Sequence, residues 1–572
     1  MDHLTFGKLD HKIRFSYLFR TCDQRILVVT DGYNGFLNGS FSNSYFGLSA
    51  VIDTLLDQSE YYVDFKLTLA HRQTDNFKPP QADPSYDRYG PNYENFRFTT
   101  NANDIKTGAD FDIYDFDQIW LFGVRGNAND SQRLDDPELQ VLTDWMEKGG
   151  GLFATGDHAD LGASLCSRVP RASKMRLWTS TVDSDGNAVA PPQPTGANRH
   201  DTLVKGHDPV YTFDDESDDV PMKVAPKFYK RYSFHPFWRY KYPHPLLCGK
   251  EGVIDILPDH PHEGQIVEEN KIVLDGKLYN NADEFPSVGG RPLGHEVVAH
   301  AFVQGDHTNT SDLNKGEANY KRFGAIGAYD GYKTKKGRVV VDSTWHHWFD
   351  VNLIGRPVNA LDSPPYDNTN PKILGFLYST AGQKAYSRIQ NYFINTGLWL
   401  APKKRRFCLL KAVLWNYVHR YPAVERLNPK LSIVELGVTA KDALGRIAGQ
   451  CQLREWLRPE IPELEGIWRD FNDGCLTCPP DDLLDIFVLG SITRQLLELS
   501  YSIQEKNMEP EEITRLLDGE LEERILSGYK KGYYEMVTTL EKGSNRTLEH
   551  VKSIRDLDIT RHLTEDSDRE QK

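Results

Sequence analysis

Three short, continuously apolar runs constrain this chain most: Ile26-Leu-Val-Val-Thr30, Gln118-Ile-Trp-Leu-Phe-Gly-Val124 and Gly151-Leu-Phe-Ala-Thr155. Runs rich in β-branched and aromatic residues that break into polar loops read as strands covered on both faces, the habit of parallel sheets. Between them the period changes. Ser44 to Leu56 carries Phe46, Val51, Ile52 and Leu55 at helical spacing, Tyr61 to Ala70 reads as another strand, and Asp136 to Lys148 is an amphipathic helix. This alternation predicts an α/β fold with an open, mostly parallel sheet and right-handed crossovers. Further strands are predicted at Gly252–Ile256, Lys271–Leu274, Val297–Val303, Phe323–Ala328 and Arg338–Val341.

With 572 residues the chain exceeds what one core supports. Residues 1–20 read as an extension and residues 21–360 as the α/β domain. The stretch 71–103, rich in Pro, Asn, Asp and Tyr, reads as an irregular excursion. A long insertion at about 161–245 contains PPQPTG and DDESDD, breaks the βα rhythm and would lie over one end of the sheet as a lid. After residue 361 β-branched runs thin out. Leu410, Val413, Leu414, Tyr417 and Val418 mark one helical face, so residues 361–560 are predicted to form an all-helical domain, with 561–572 a charged tail.

Composition bounds function. The net charge of -15 excludes a nonspecific nucleic-acid surface over the whole molecule, and Lys403-Lys404-Arg405-Arg406 reads as a solvated helix start. No apolar run reaches the length of about 18 residues that a membrane span needs. The N-terminus has no apolar signal region, and seven scattered cysteines make no disulfide framework, so a cytoplasmic protein is expected. Cys475 and Cys478 form a lone CxxC, read as a loop between helices. Gly149-Gly150-Gly151 precedes a strand instead of following one, the reverse of a phosphate-binding loop.

In open sheets of this kind ligands bind beyond the carboxyl ends of the strands. The predicted strands end in Thr30-Asp31-Gly32, Gly123-Val124-Arg125, Gly156-Asp157-His158-Ala159-Asp160, Gly305-Asp306-His307 and Asp342-Ser-Thr-Trp-His346-His347. Two Gly-Asp-His tripeptides and a double histidine concentrate imidazole and carboxylate at such ends. These groups serve as general acid and base, or hold a divalent metal such as zinc through His158, Asp160 and His307. The bland alternative is that each Asp caps a helix and each His fills a polar corner. Pro258-Asp259-His260-Pro-His262-Glu263-Gly264 adds two histidines and two acids in a stiff turn, whereas His235 and His244 sit among aromatics and read as packing.

The stretch Trp145-Met-Glu-Lys-Gly-Gly-Gly-Leu-Phe-Ala-Thr-Gly-Asp-His158 resembles the ThuA-like branch of the class I glutamine amidotransferase-like superfamily. So does Gly337-Arg-Val-Val-Val-Asp-Ser-Thr-Trp-His346, where a Gly-Arg turn leads into a strand and a closing histidine. The resemblance spans roughly residues 20–360. It implies a flavodoxin-like, amidotransferase-like sheet, family histidines at His158 and His346, an acidic counterpart at Glu263, and a carbohydrate or related polyhydroxylated ligand. In true amidotransferases a cysteine elbow follows the fourth strand. Here Thr155-Gly-Asp-His158 stands there and Cys166 falls later, so Cys-dependent glutamine hydrolysis is not expected.

Two functions follow. One is an enzyme, a hydrolase or sugar-modifying enzyme, with Asp157, His158, Asp160, His307, His346 and Glu263 catalytic, and Asp31, Arg125, Asp306 and His347 binding ligand. The other is a ligand sensor or scaffold whose helical domain recruits a protein partner or forms a homo-oligomer.

Overall fold

The computed structural model describes residues 21–32, 47–57, 62–73, 91–100, 102–126, 131–157, 160–176, 178, 181–182, 188–189, 221–230, 241–258, 264–303, 321–355, 375–420, 427–457, 481–506 and 510–555. Nine strands form the main sheet: β1 (Cys22–Thr30), β2 (Val63–His71), β3 (Gln118–Phe122), β4 (Gly151–Thr155), β5 (Pro221–Pro226), β6 (Ile256–Pro258), β7 (Glu296–Val303), β8 (Lys321–Tyr329) and β9 (Val339–Asp342). Their order is β6-β5-β7-β8-β9-β4-β3-β1-β2. The five strands from β9 to β2 are mutually parallel. The other four pair antiparallel. Because β5 and β8 alone run against the rest, seven of the nine strands still point the same way.

Side-chain alternation sorts the apolar runs onto two faces, since successive residues of a strand point to opposite sides. Ile26, Val28, Trp120, Phe122, Phe153 and Val340 belong to one core, and Leu27, Val29, Ile119, Leu121, Leu152, Ala154, Val339 and Val341 to the other. Helix α1 (Ser49–Asp57) covers the first face. Helix α2 (Asp136–Glu147) covers the second, and its start is fixed by a capping box between Asp135 and Glu138. Glu138 also receives a fully buried, bidentate Arg72 at 2.6 and 2.9 Å, tying the end of β2 to that helix.

The helical region comprises α3 (Thr380–Leu400), α4 (Lys403–Arg420), α5 (Ile433–Ala448), α6 (Gln450–Leu457), α7 (Asp481–Lys506) and α8 (Pro510–Arg555). Helix α3 packs directly on the first face of the sheet. Gln118 donates to the Gly397 carbonyl at 2.6 Å, and a Cβ on Gly397 would stand 2.6 Å from the Phe65 ring. The sheet and the helices thus share one continuous core. The basic start of α4 divides: Lys403 and Lys404 are exposed, while Arg405 pairs with Asp117 at 3.0 Å and Arg406 with Glu455 at 3.5 Å.

Four expectations change. Residues 221–226, assigned to the insertion, form a strand of the main sheet. Lys271–Leu274 is not a strand; residues 269–271 form a single 3-10 turn and Val273 is exposed. The predicted strand at 252–256 divides into a two-residue hairpin arm, Gly252–Val253, and the start of β6. A disulfide joins Cys22 at the start of β1 to Cys408 in α4, where the cysteine count suggested none. No helix among the described residues is long and apolar enough to cross a membrane. Cys475 and Cys478 lie outside the described residues.

Candidate functional site

The register Asp342↔Thr155↔Phe122↔Thr30↔His71 aligns the carboxyl ends of the five parallel strands in one row. Since β6 and β7 point the same way, their carboxyl ends face the same edge of the sheet. Every strand end singled out in the sequence therefore meets one edge. Asp306 and His307 follow β7, Asp259 to Glu263 follow β6, and His158 follows β4; all of these lie outside the described residues. Within them the edge carries Asp31, Arg125, Asp157, Asp160, His346 and His347.

His346 lies at the center of one constellation on this edge. Its Nδ1 is 3.0 Å from Asn352 Oδ1 and its Nε2 is 3.3 Å from Asp157 Oδ2. The ring stacks on Trp345 at 4.1 Å between centroids. Asp157 is fully buried and accepts from the Thr344 hydroxyl at 3.1 Å, while its carbonyl receives Arg176, whose Nε also donates to the Ser343 carbonyl at 3.0 Å. A carboxylate only accepts, so Asp157 fixes a proton on Nε2. A ring donating from both nitrogens is an imidazolium. With the Asn352 amide turned by half a rotation, Nδ1 accepts and the ring is neutral. The arrangement can therefore hold or release one proton without moving the ring. A Cβ on Gly264, which closes the PDHPHEG segment, would meet the Arg176 guanidinium at 2.2 Å.

The neighboring histidine does something else. His347 is fully buried, and its Nδ1 donates to Asp342 Oδ1 at 2.7 Å. The other oxygen of Asp342 accepts from Trp348 Nε1 at 2.9 Å and from the Tyr392 hydroxyl at 2.8 Å, which ties the end of β9 to α3. Burial and the Asp342 charge push the Tyr392 phenol well above its usual range.

Asp31 sits where the strand order reverses between β1 and β3, the crevice that open sheets offer to ligands. Its Oδ1 accepts from the backbone of Val124 at 2.7 Å and of Arg125 at 3.3 Å. The Arg125 side chain turns away from that carboxylate, donating from Nε to the Asp31 carbonyl at 2.9 Å and reaching Gln73. Burial outweighs these donors and the distant Arg72, and raises the Asp31 carboxyl to about 6. Close glycine contacts shape this edge: a Cβ on Gly123 would meet Gly162 Cα at 2.6 Å, so the segment after β4 folds over the end of β3. Asp160 is exposed, lying against Gly126. Cys166 is buried beneath, its thiol pushed well up by burial and by Asp31, which makes it an unreactive packing residue.

Sequence reasoning missed Asn352, Thr344, Arg176 and Asp350. Asp350 caps α1 across the fold, accepting from Ser49 N at 3.1 Å and Ala50 N at 2.8 Å, so that helix N-terminus is already occupied. For Asp350 and Asn352 the signal in the sequence is the polar residues between Trp348 and Ile354. Among the described residues no group of three or more His, Cys, Asp or Glu side chains is placed to hold a metal ion. Of the proposed metal trio only Asp160 is described. β4 and β7 stand three places apart in the sheet, about 14 Å.

Compared with known proteins, the chain matches no family model, no curated relative and no solved structure.

Proposed function

We propose that the carboxyl edge of the sheet is the active site of an enzyme, a hydrolase or sugar-modifying enzyme, in which His346 is the general acid–base. The observation that carries this is the His346 ring held between Asp157 and Asn352 and stacked on Trp345. A positioned histidine of this kind contributes on the order of 10²- to 10⁴-fold to a proton transfer. Asp31, with a carboxyl near 6 at the strand-order reversal, supplies a second group that changes charge close to neutral pH. The order β2-β1-β3-β4-β9 supports a flavodoxin-like arrangement. The ThuA-like resemblance supports a polyhydroxylated ligand, and His158, His307, Asp306, Glu263 and Asp160 remain its proposed companions. Zinc held by His158, Asp160 and His307 would supply an activated water.

The test is hydrolysis of a panel of nitrophenyl glycosides and esters by the wild type, His346→Gln and Asp157→Asn, with elemental analysis of the chelator-free protein alongside. Turnover that falls in both variants while the fold survives supports the assignment. Turnover unchanged in both removes His346 from the chemistry, and absence of bound metal removes zinc.

The scaffold reading is favored by one observation. Helix α8 carries Tyr534, Val537 and Leu548 at 71%, 41% and 54% exposure, which suits a protein partner or a second copy. Under that reading the panel shows no turnover and the chain self-associates or binds a partner through α8.

A further inference from the structure

Three reduced cysteines are described, and two of them meet. Cys248 opens a small hairpin, pairing with Val253, directly after the turn Pro245–Leu247. Cys451 is the second residue of α6. Gly449, with φ +80°, brings the start of that helix onto the hairpin so closely that a Cβ there would stand 2.7 Å from the Cys248 carbonyl oxygen. The two sulfurs are in hydrogen-bond contact, and both residues are over nine-tenths buried. Cys451 nevertheless forms part of the wall of a cavity of about 250 Å³, shared with Tyr229, His244, Trp399, Arg454 and Glu455. This cavity lies at the amino ends of the parallel strands, away from His346.

We propose that Cys248 and Cys451 form a thiol–disulfide exchange site, at which a small-molecule disulfide entering this cavity closes a second, reversible cross-link between the sheet-side hairpin and the helical region. The Cys451 thiolate attacks one sulfur of the small disulfide, forming a mixed disulfide and expelling one thiolate. The Cys248 thiolate then attacks Cys451 Sγ, forming the Cys248–Cys451 bond and expelling the second. The two protons lost by the protein thiols end on the two released thiols. The protein is oxidized by two electrons and the small disulfide is reduced by two.

The pairing has a chemical and a topological rationale. The hydrogen bond from Cys451 holds the Cys248 thiol below its ordinary value despite burial, which favors the thiolate that the resolving step needs. Cys166, by contrast, has its thiol pushed up. Cys22–Cys408 already joins β1 to α4. A Cys248–Cys451 bond joins the hairpin to α6, so the oxidized chain would hold the helical region to the sheet at two separate points.

The experiment incubates the folded full-length protein with oxidized glutathione, blocks remaining thiols by alkylation and maps peptides without reduction. A Cys248–Cys451 linked peptide is expected, reversed by reduced glutathione, together with a thermal midpoint above that of the reduced protein. In Cys248→Ser the link disappears and Cys451 carries a stable glutathione adduct, because nothing resolves it. Recovery of both cysteines as alkylated thiols under these conditions overturns the proposal, as does a link from either one to Cys475 or Cys478. A circular-dichroism spectrum of the incubated sample, matched to that of the starting protein, establishes that the protein was folded when tested.

Discussion

The two ends of the parallel strands treat buried charge in opposite ways. At the amino end of β9, Arg338 is buried with Asp330 at 2.8 Å, contacts Glu455, and stacks on Tyr332 and Trp399 at 3.8 and 4.4 Å. At the carboxyl end of β1, Asp31 is equally buried but has backbone donors and no ion pair among the described residues. The first arrangement spends its charges on joining the sheet to α3 and α6. The second leaves a carboxyl whose protonation is poised near neutral pH. One end of the sheet uses its charges for attachment, and the other keeps a carboxyl with no ion pair among the described residues, whose protonation state a ligand could change.

Arg338→Ala should produce the largest loss. Removing one partner of a buried pair leaves the others uncompensated, typically about 3–5 kcal/mol. Asp330 and Glu455 are roughly a quarter exposed, which places this case toward the low end. Denaturant unfolding reads the change, and a loss below about 1 kcal/mol would break the contrast between the two ends.

Asp31→Asn should act in the opposite sense. The folded carboxyl lies near 6 against 3.8 unfolded, so between those values the folded state binds more protons and stability falls as pH rises. Above about pH 6 the full penalty, about 3 kcal/mol, is present; below about pH 4 it is absent. The asparagine variant should remove that slope and be more stable than wild type at pH 7. Unfolding curves at pH 4, 5, 6 and 7 test the sign, and an unchanged slope would mean that Asp31 does not titrate there.

Within the helical region a smaller effect is expected at the crossing of α5 and α7. A Cβ on Gly490 would stand 1.9 Å from the Ile433 carbonyl oxygen, and one on Gly437 the same distance from that of Ile486. Gly490→Ala should cost about 1–3 kcal/mol through forced separation of the helices. The smallest effect belongs to the exposed capping box of α5, where Ser432→Ala should cost about 1 kcal/mol. Should the glycine change cost less than the cap, the close crossing is not what holds the helices together.

Local pattern carried much of the architecture. β1, β2, β3, β4, β7, β8 and β9 follow from apolar runs bounded by turn residues, and the shift to helical period near residue 361 anticipates α3 to α8. The short β5 was not legible, because it lies in a stretch whose prolines and acids outweigh a few β-forming residues. Its place between β6 and β7 is decided by pairing with both of them. The reversed direction of β5 and β8 was equally out of reach, since an apolar run reads the same whichever way its neighbor runs.

For the site, the sequence by itself determined that imidazoles and carboxylates stand at strand ends, because residue type and strand boundary are local properties. Only the tertiary structure decided where each of two adjacent histidines turns. His346 turns to Asp157, from another strand, and to Asn352, while His347 turns inward to Asp342, which in turn holds Tyr392 of α3. Likewise Cys22 and Cys408, 386 residues apart, are joined because α4 packs beside the start of β1. Which groups become partners depends on long-range packing, and no spacing along the chain encodes it.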